Sequence, residues 1–216
     1  MPKVPRFAEA GAKGNMGYVT IRSAEESDAQ ALAQIAIMAG HGLMELLYEG
    51  LLPGKSLMDT IIERRIFAPR SFSTLARWRV ATDASGDILG GLNSYSHDVM
   101  MAAPPDPLLD ESRLKPIAAL SEMEARAVDS YYINMIAVFP EYRGSGGGFA
   151  LMQEAERLAR KENLRRISLC TFENDPSLLR YYRRQGFEVH ATCPIGQHPA
   201  FQTDGNFVLM MRELDD

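Results

Sequence analysis

The chain has 216 residues, with 23 Lys and Arg against 28 Asp and Glu, a formal charge of −5, and 46% hydrophobic content. This composition excludes a disordered chain, a fibre or a collagen, and the acid excess argues against non-specific binding to nucleic acid or a membrane surface. Two cysteines, Cys170 and Cys193, are too few for a disulfide scaffold or a four-cysteine zinc site and read as reduced core thiols of a cytoplasmic protein.

Residues 1–17 carry Lys3, Arg6 and Lys13 but no apolar core of signal-peptide length, so they read as a flexible tail before one domain over 18–216. No apolar run approaches the about 18 residues of a membrane span. Tyr18 to Arg22 alternates as a strand. Ser23 with Glu26, or Ser27 with Gln30, has capping-box spacing for the next helix, whose Leu32, Ile35, Ala36 and Ala39 share a face. Gly40 and Gly42 end it. A second helix covers Leu43 to Tyr48, and a third resumes near Ser56, with Leu57, Ile61, Ile62 and Ile66 inward.

Leu75 to Thr82 and Ile88 to His97 form a hairpin about the turn Asp83–Asp87. Residues 98–129, broken by Pro104, Pro105 and Pro107, read as an insertion holding a helix from about Pro116 to Val128. Tyr131 to Phe139 is a nearly continuous apolar run, the pattern of a strand buried on both faces. A helix from Gly147 to Glu162 presents Leu151, Ala155, Leu158 and Ala159 inward and offers a Glu156–Arg160 pair outward. Asn163 suits a left-handed stop. The strand Arg166 to Phe172 precedes a helix capped by Asp175 with Pro176 in its first turn. Gly186 ends that helix, and Phe187–Thr192 and Asn206–Arg212 are the last strands. The fold class is α/β, with one central mixed sheet flanked by helices.

The chemistry lies in Val138-Phe-Pro-Glu-Tyr-Arg143-Gly-Ser-Gly-Gly-Gly148, where a buried strand enters a glycine turn that opens a helix. Such a turn lets an anion approach free amides at the positive end of the helix dipole, so a phosphate or pyrophosphate site is expected. A nucleotide-triphosphate loop needs Lys and then Ser or Thr after its last glycine; Phe149 follows here. A dinucleotide fingerprint needs a third glycine where Phe149 stands, and too few residues follow for the rest of that fold.

Arg143-Gly-Ser-Gly146-Gly-Gly148 resembles the R/Q-x-x-G-x-G/A acetyl-coenzyme A motif of the GNAT N-acetyltransferases. Ala137-Val-Phe-Pro-Glu-Tyr142 and Tyr182-Arg-Arg-Gln-Gly186-Phe187 are similar to that family's strand ending and next helix end. The resemblance spans roughly residues 18 to 213 in element order. It implies an N-acetyltransferase that moves acetyl from acetyl-CoA to a primary amine of a small molecule or peptide by direct attack in a ternary complex. It implies a single GNAT-like domain and no metal cofactor, and allows a homodimer. It also implies pyrophosphate contacts from the six backbone N–H groups of Arg143, Gly144, Ser145, Gly146, Gly147 and Gly148, all unoccupied, and pantetheine contacts from Ala137, Val138 and Asn174. The Val138 amide becomes the oxyanion donor and Tyr182, with Tyr181 as its neighbour, the general acid. Asn134 stands where an acid is common, which leaves Glu122, Glu124, Asp129 and His97 as candidate bases, the two glutamates foremost. The same departure supports an alternative, a non-catalytic acyl-CoA sensor of the same fold, which Tyr182 opposes. The acidic insertion suits a cationic acceptor. Four histidines without ligand spacing speak against a metal site.

Overall fold

The side-chain alternation of the central strand breaks at one residue, and that break organises the molecule. The computed structural model describes residues 18–196, 198–201 and 205–215; the expected N-terminal tail lies outside them. In chain order the elements begin β1 (Thr20–Ser23), α1 (Ala29–Gly40), α2 (Leu43–Tyr48) and α3 (Leu57–Ile61), the last running into a π turn at Ile62–Ile66. They continue β2 (Trp78–Thr82), β3 (Ile88–Ser96), α4 (His97–Ala102), α5 (Glu111–Leu114) and α6 (Ala118–Glu124). The second half holds β4 (Tyr131–Val138), α7 (Gly147–Lys161), β5 (Arg166–Phe172), α8 (Pro176–Arg184), β6 (Glu188–Pro194) and β7 (Asn206–Glu213).

The strands form one sheet of order β1-β2-β3-β4-β5-β7-β6. Every neighbouring pair is antiparallel except β4–β5, which is parallel. Between β3 and β4 the register slips: Asn93 faces Met135, but Ser94 faces Ile133, so Asn134 is the extra residue of a bulge. A bulge shifts side-chain parity by one. Tyr131 and Ile133 therefore pack on the α7–α8 face with Leu151, Ala155 and Leu158, whereas Met135 packs on the opposite face with Leu32, Ile35 and Trp78. The insertion covers the rest of that second face, where Leu120 and Met123 of α6 meet Tyr132, Phe207 and Leu209.

Several local expectations change. Neither Ser23 nor Ser27 caps α1: a 3-10 turn at Glu26–Asp28 leads into it, and Asp28 closes that turn's capping box, accepting the Glu25 N–H at 2.8 Å while paired with Arg22. Leu75–Arg77 is a 3-10 turn before β2, and His97 opens α4 rather than ending β3. The helix expected over 116–128 is shorter, stopping at Glu124 after a 3-10 turn at Lys115–Ile117. Glu156 pairs with Arg212 of β7 at 2.5 Å, not with Arg160. Asn163 is left-handed at φ 59°, and Asp175 caps α8 by accepting the N–H groups of Ser177 and Leu178 at 3.1 and 2.9 Å.

Gly90 sets how closely β3 and β4 approach at the end of β4. A β-carbon there would stand 2.3 Å from the Ala137 carbonyl oxygen and 2.8 Å from the Val138 Cα. Both are backbone, so the strands themselves must separate. Gly90→Ala is expected to cost about 1–3 kcal/mol of stability, seen as a lower urea midpoint at unchanged slope.

Candidate active site

The parallel seam is short. β4 and β5 pair only at Tyr131–Ile167, Tyr132–Ser168 and Ile133–Leu169, and the bulge at Asn134 then bends β4 away. β5 stays with β7 over its full length, from Arg166–Glu213 to Phe172–Phe207. The strands diverge into a cleft of about 680 Å³, lined by Ile133, Asn134, Ile136 to Val138, Cys170 to Phe172 and the glycine turn.

Backbone parity says which groups face this cleft. The Phe139 N–H donates to the Leu89 oxygen at 2.9 Å, and Gly90 stands opposite Val138. Successive peptide groups of a strand point to opposite edges, so the N–H and C=O groups of Val138 and Ile136 point toward the missing partner. The Ala137 groups point to β3, where its oxygen lies beside Gly90. Val138 thus turns its backbone pair to the cleft, as does Ile136, which sequence reasoning overlooked, whereas Ala137 does not. The signal was the parity of the strand, which could be counted only once its register was known.

At the end of β4, Pro140–Tyr142 makes a 3-10 turn. This tight turn and the loop after it consume three of the six expected amides: Arg143 N–H donates to the Pro140 oxygen at 3.3 Å and Ser145 N–H to the Tyr142 oxygen at 3.2 Å. Gly147 N–H donates to the Ser145 Oγ at 3.3 Å. Among the described residues the N–H groups of Gly144, Gly146 and Gly148 remain free, all three lining the cleft. Gly144 and Gly146 are left-handed at φ 86° and 89°, and a β-carbon on either would enter open space. Free amides, an open approach and the N-terminus of the 15-residue α7 fit a pyrophosphate.

Tyr182 and Tyr181 of α8 both line the cleft, their rings 5.5 Å apart edge to face. Tyr182 is buried against Phe187 at 5.7 Å, and burial raises its pKa, with smaller contributions from Tyr181 and Asp175. The Tyr181 hydroxyl is buried without a hydrogen-bond partner, and burial raises its pKa as well. Both phenols therefore hold their protons at neutral pH. Asn174 is exposed and does not line the cleft; Asp175 does, because its capping bonds turn it inward. His41, also missed from sequence, closes the far wall at φ 47°, its ring 4.7 Å from that of Phe172.

A second cavity, of about 710 Å³, lies between the α2–α3 region and the insertion. Asn134 lines both cavities. Its Nδ2 donates to the Asn93 Oδ1 at 2.9 Å, which leaves the Asn134 Oδ1 able to accept. Glu124 lines the second cavity and accepts the Tyr132 hydroxyl at 2.7 Å. Burial raises its pKa, opposed by that hydrogen bond and by the charge of Arg65. Glu122 and Asp129 are exposed, His97 is buried, and none of the three lines either cavity. The short α6 turns Glu122 outward and Glu124 inward. Among the described residues no three His, Cys, Asp or Glu side chains gather closely enough to hold a metal ion, and no helix is long and apolar enough to cross a membrane.

Residues 86–187 match the sequence model of the acetyltransferase (GNAT) family. The chain is similar in fold to an N-acetyltransferase from Staphylococcus aureus Mu50, with a TM-score of 0.60 at 21% identity, covering 89% of this chain and 99% of that one. It is also similar to a GCN5-related N-acetyltransferase from Kribbella flavida, with a TM-score of 0.55 at 23% identity over 91% and 98% of the two chains. A mosquito arylalkylamine N-acetyltransferase like 5b shares the fold at a TM-score of 0.61 and 16% identity, over 91% and 100%. No curated protein sequence matches the chain. Residues 86–187, which hold β3, β4, the glycine turn, α7, β5 and α8, are thus an acetyltransferase domain of the GNAT family, whose fold serves acyl transfer from acetyl-CoA.

Proposed function

We propose that this protein transfers an acetyl group from acetyl-CoA to a primary amine by direct attack in a ternary complex. The observation that carries the reading is the meeting of the two cavities at Asn134: one suits the coenzyme, the other an acceptor, and a shared residue lets them react without a covalent enzyme intermediate. The coenzyme supplies a thioester whose acetyl carbon accepts the amine. Free amides of Gly144, Gly146 and Gly148 hold the pyrophosphate, and the open edge at Ile136 and Val138 pairs with the pantetheine arm. The Val138 N–H stabilises charge on the thioester oxygen, a contribution that can reach about 3 kcal/mol when preorganised.

Glu124 is the group best suited to take the proton that the amine loses as its nitrogen bonds the acetyl carbon. Its carboxylate is fixed by Tyr132 and lies on the acceptor side, with Asn134 able to hold a relaying water. Tyr182 gives the proton that the departing sulfur takes as the carbon–sulfur bond breaks; Tyr181 is its nearest substitute. Glu122 is exposed, so the base is assigned to Glu124 alone. Cytoplasmic location and a homodimeric state fit this reading but play no part in the chemistry.

Incubation with acetyl-CoA and a panel of primary amines is expected to release one free thiol per N-acetylated product. Thiol release without acetylated product, or none from any amine, contradicts the proposal. Acetyl-CoA is expected to raise the melting temperature. Gly146→Ala should reduce that rise, because a side chain at φ 89° strains the turn, whereas Gly148→Ala should keep it, its β-carbon standing 3.6 Å from Val138 Cγ2. Equal loss in both variants would contradict the assignment of the amides.

A base must be deprotonated, so the rate should climb with pH through the raised pKa of Glu124 and level off above it. Glu124→Gln is expected to remove that climb, and Glu122→Gln to leave it. Tyr182→Phe should lower turnover on the order of 10²-fold with coenzyme affinity kept. Wild-type turnover in Tyr182→Phe would transfer the acid role to Tyr181 or water.

A further inference from the structure

Resting on the reading of the second cavity as the acceptor site, we propose that the acceptor is an apolar amine that also carries a carboxylate, and that Arg65 is the residue that recognises it. Arg65 belongs to the π turn Ile62–Ile66 and lines the cavity while only 5% exposed. Its guanidinium lies over two aromatic rings, 5.2 Å from the Phe72 centroid and 5.8 Å from that of Tyr48. Stacking occupies the faces of a guanidinium and leaves its in-plane N–H donors to be satisfied separately.

One of those donors has no taker. The Nε is buried without a hydrogen-bond partner, and among the described residues no carboxylate stands within ion-pair distance of Arg65. The neighbouring Arg64 differs: its Nε donates to Asp106 at 3.0 Å, and the two form a salt bridge. Glu124 senses the charge of Arg65 but spends one oxygen on Tyr132. A buried cation without a counter-ion is costly, and the cost falls when a ligand supplies the anion. A carboxylate matches the planar fork of arginine in size and geometry.

The remaining wall defines the rest of the ligand. Leu47, Phe72, Met100, Pro105 and Leu120 make most of the cavity apolar. Its charged lining is three arginines, Arg64, Arg65 and Arg70, against two acids, Asp106 and Glu124. Since Asp106 is engaged by Arg64, the balance at the open part of the site is cationic. This reverses the cationic acceptor that the acidic insertion suggested: a polyamine meets positive charge, whereas a hydrophobic amino acid places its amine toward Asn134 and its carboxylate toward Arg65.

The test compares matched amines with acetyl-CoA in the free-thiol assay: phenylalanine against 2-phenylethylamine, and leucine against isopentylamine. The carboxylated member is expected to be preferred in kcat/KM by about 10- to 100-fold, the range for a hydrogen bond to a charged group. Arg65→Gln should bring that ratio near one by raising KM for the amino acid, and Arg65→Lys should restore part of it; an acetyl-CoA melting shift in each variant shows that the fold persists. Where Arg65→Gln does not fold, the wild-type protein still decides, through the binding of N-acetylphenylalanine against N-acetyl-2-phenylethylamine by calorimetry. Tighter binding of the carboxylated product supports the proposal. Equal or better use of the decarboxylated amines overturns it and leaves the acetyltransfer reading intact. Acetylation of no amine overturns that reading, and the calorimetric comparison then tests Arg65 by itself. Preference for 2-aminoethyl phosphate over both amino acids would overturn the carboxylate assignment in favour of a phosphate.

Discussion

The short parallel seam between β4 and β5 is the constraint on which the rest of the site depends. Three residue pairs hold the strands together, and beyond them β4 follows β3 while β5 follows β7. The sheet therefore behaves as two antiparallel units joined along a narrow edge. An open strand edge inside a protein normally invites another strand. Here it is buttressed by α7 and α8 on one face, and the gap matches the extended arm of the proposed coenzyme. The bulge at Asn134 makes this possible: it ends the pairing, reverses the facing of Met135 relative to Ile133, and puts one polar side chain at the meeting of two cavities.

Electrostatics follows the same economy. The chain is net acidic, yet the anion site proposed at the glycine turn needs no patch of lysines, because amides at a helix start carry the positive potential. Arginines of α7 and β7 serve the fold: Arg157 binds Glu154 at 2.7 Å, and Arg212 joins Glu156 and lies 5.2 Å from the Phe187 ring centroid. Arg65 stands apart from them, held by aromatic faces without a carboxylate, and this difference gives the cavity proposed for the acceptor its charge.

Much of the fold was legible in the sequence because it rests on local chemistry. The Asp83–Asp87 turn, the Asp175 cap, the Asn163 stop and the extent of β5 each follow from residues adjacent to the feature they define. The glycine turn was legible for the same reason. What was not legible depends on tertiary register. The expectation of six free amides failed because a 3-10 turn at Pro140–Tyr142 passes its hydrogen bonds into the loop. The choice between Glu122 and Glu124 required knowing which side of a seven-residue helix meets the sheet. Arg65 reads in sequence as one of two basic residues at a helix end, and only the packing of Phe72 and Tyr48 separates it from Arg64.

The central claim is that the splayed strand edge and alternate amides of the glycine turn hold the coenzyme. Backbone amide NMR of the full chain, titrated with coenzyme A, tests it most directly. The account predicts the largest shifts at Gly144, Gly146, Gly148, Ile136 and Val138, with smaller ones at the internally bonded amides of Arg143 and Ser145 and little change at Ala137. Largest shifts at Ala137, Arg143 and Ser145, or shifts confined to the Arg65 cavity, would contradict it.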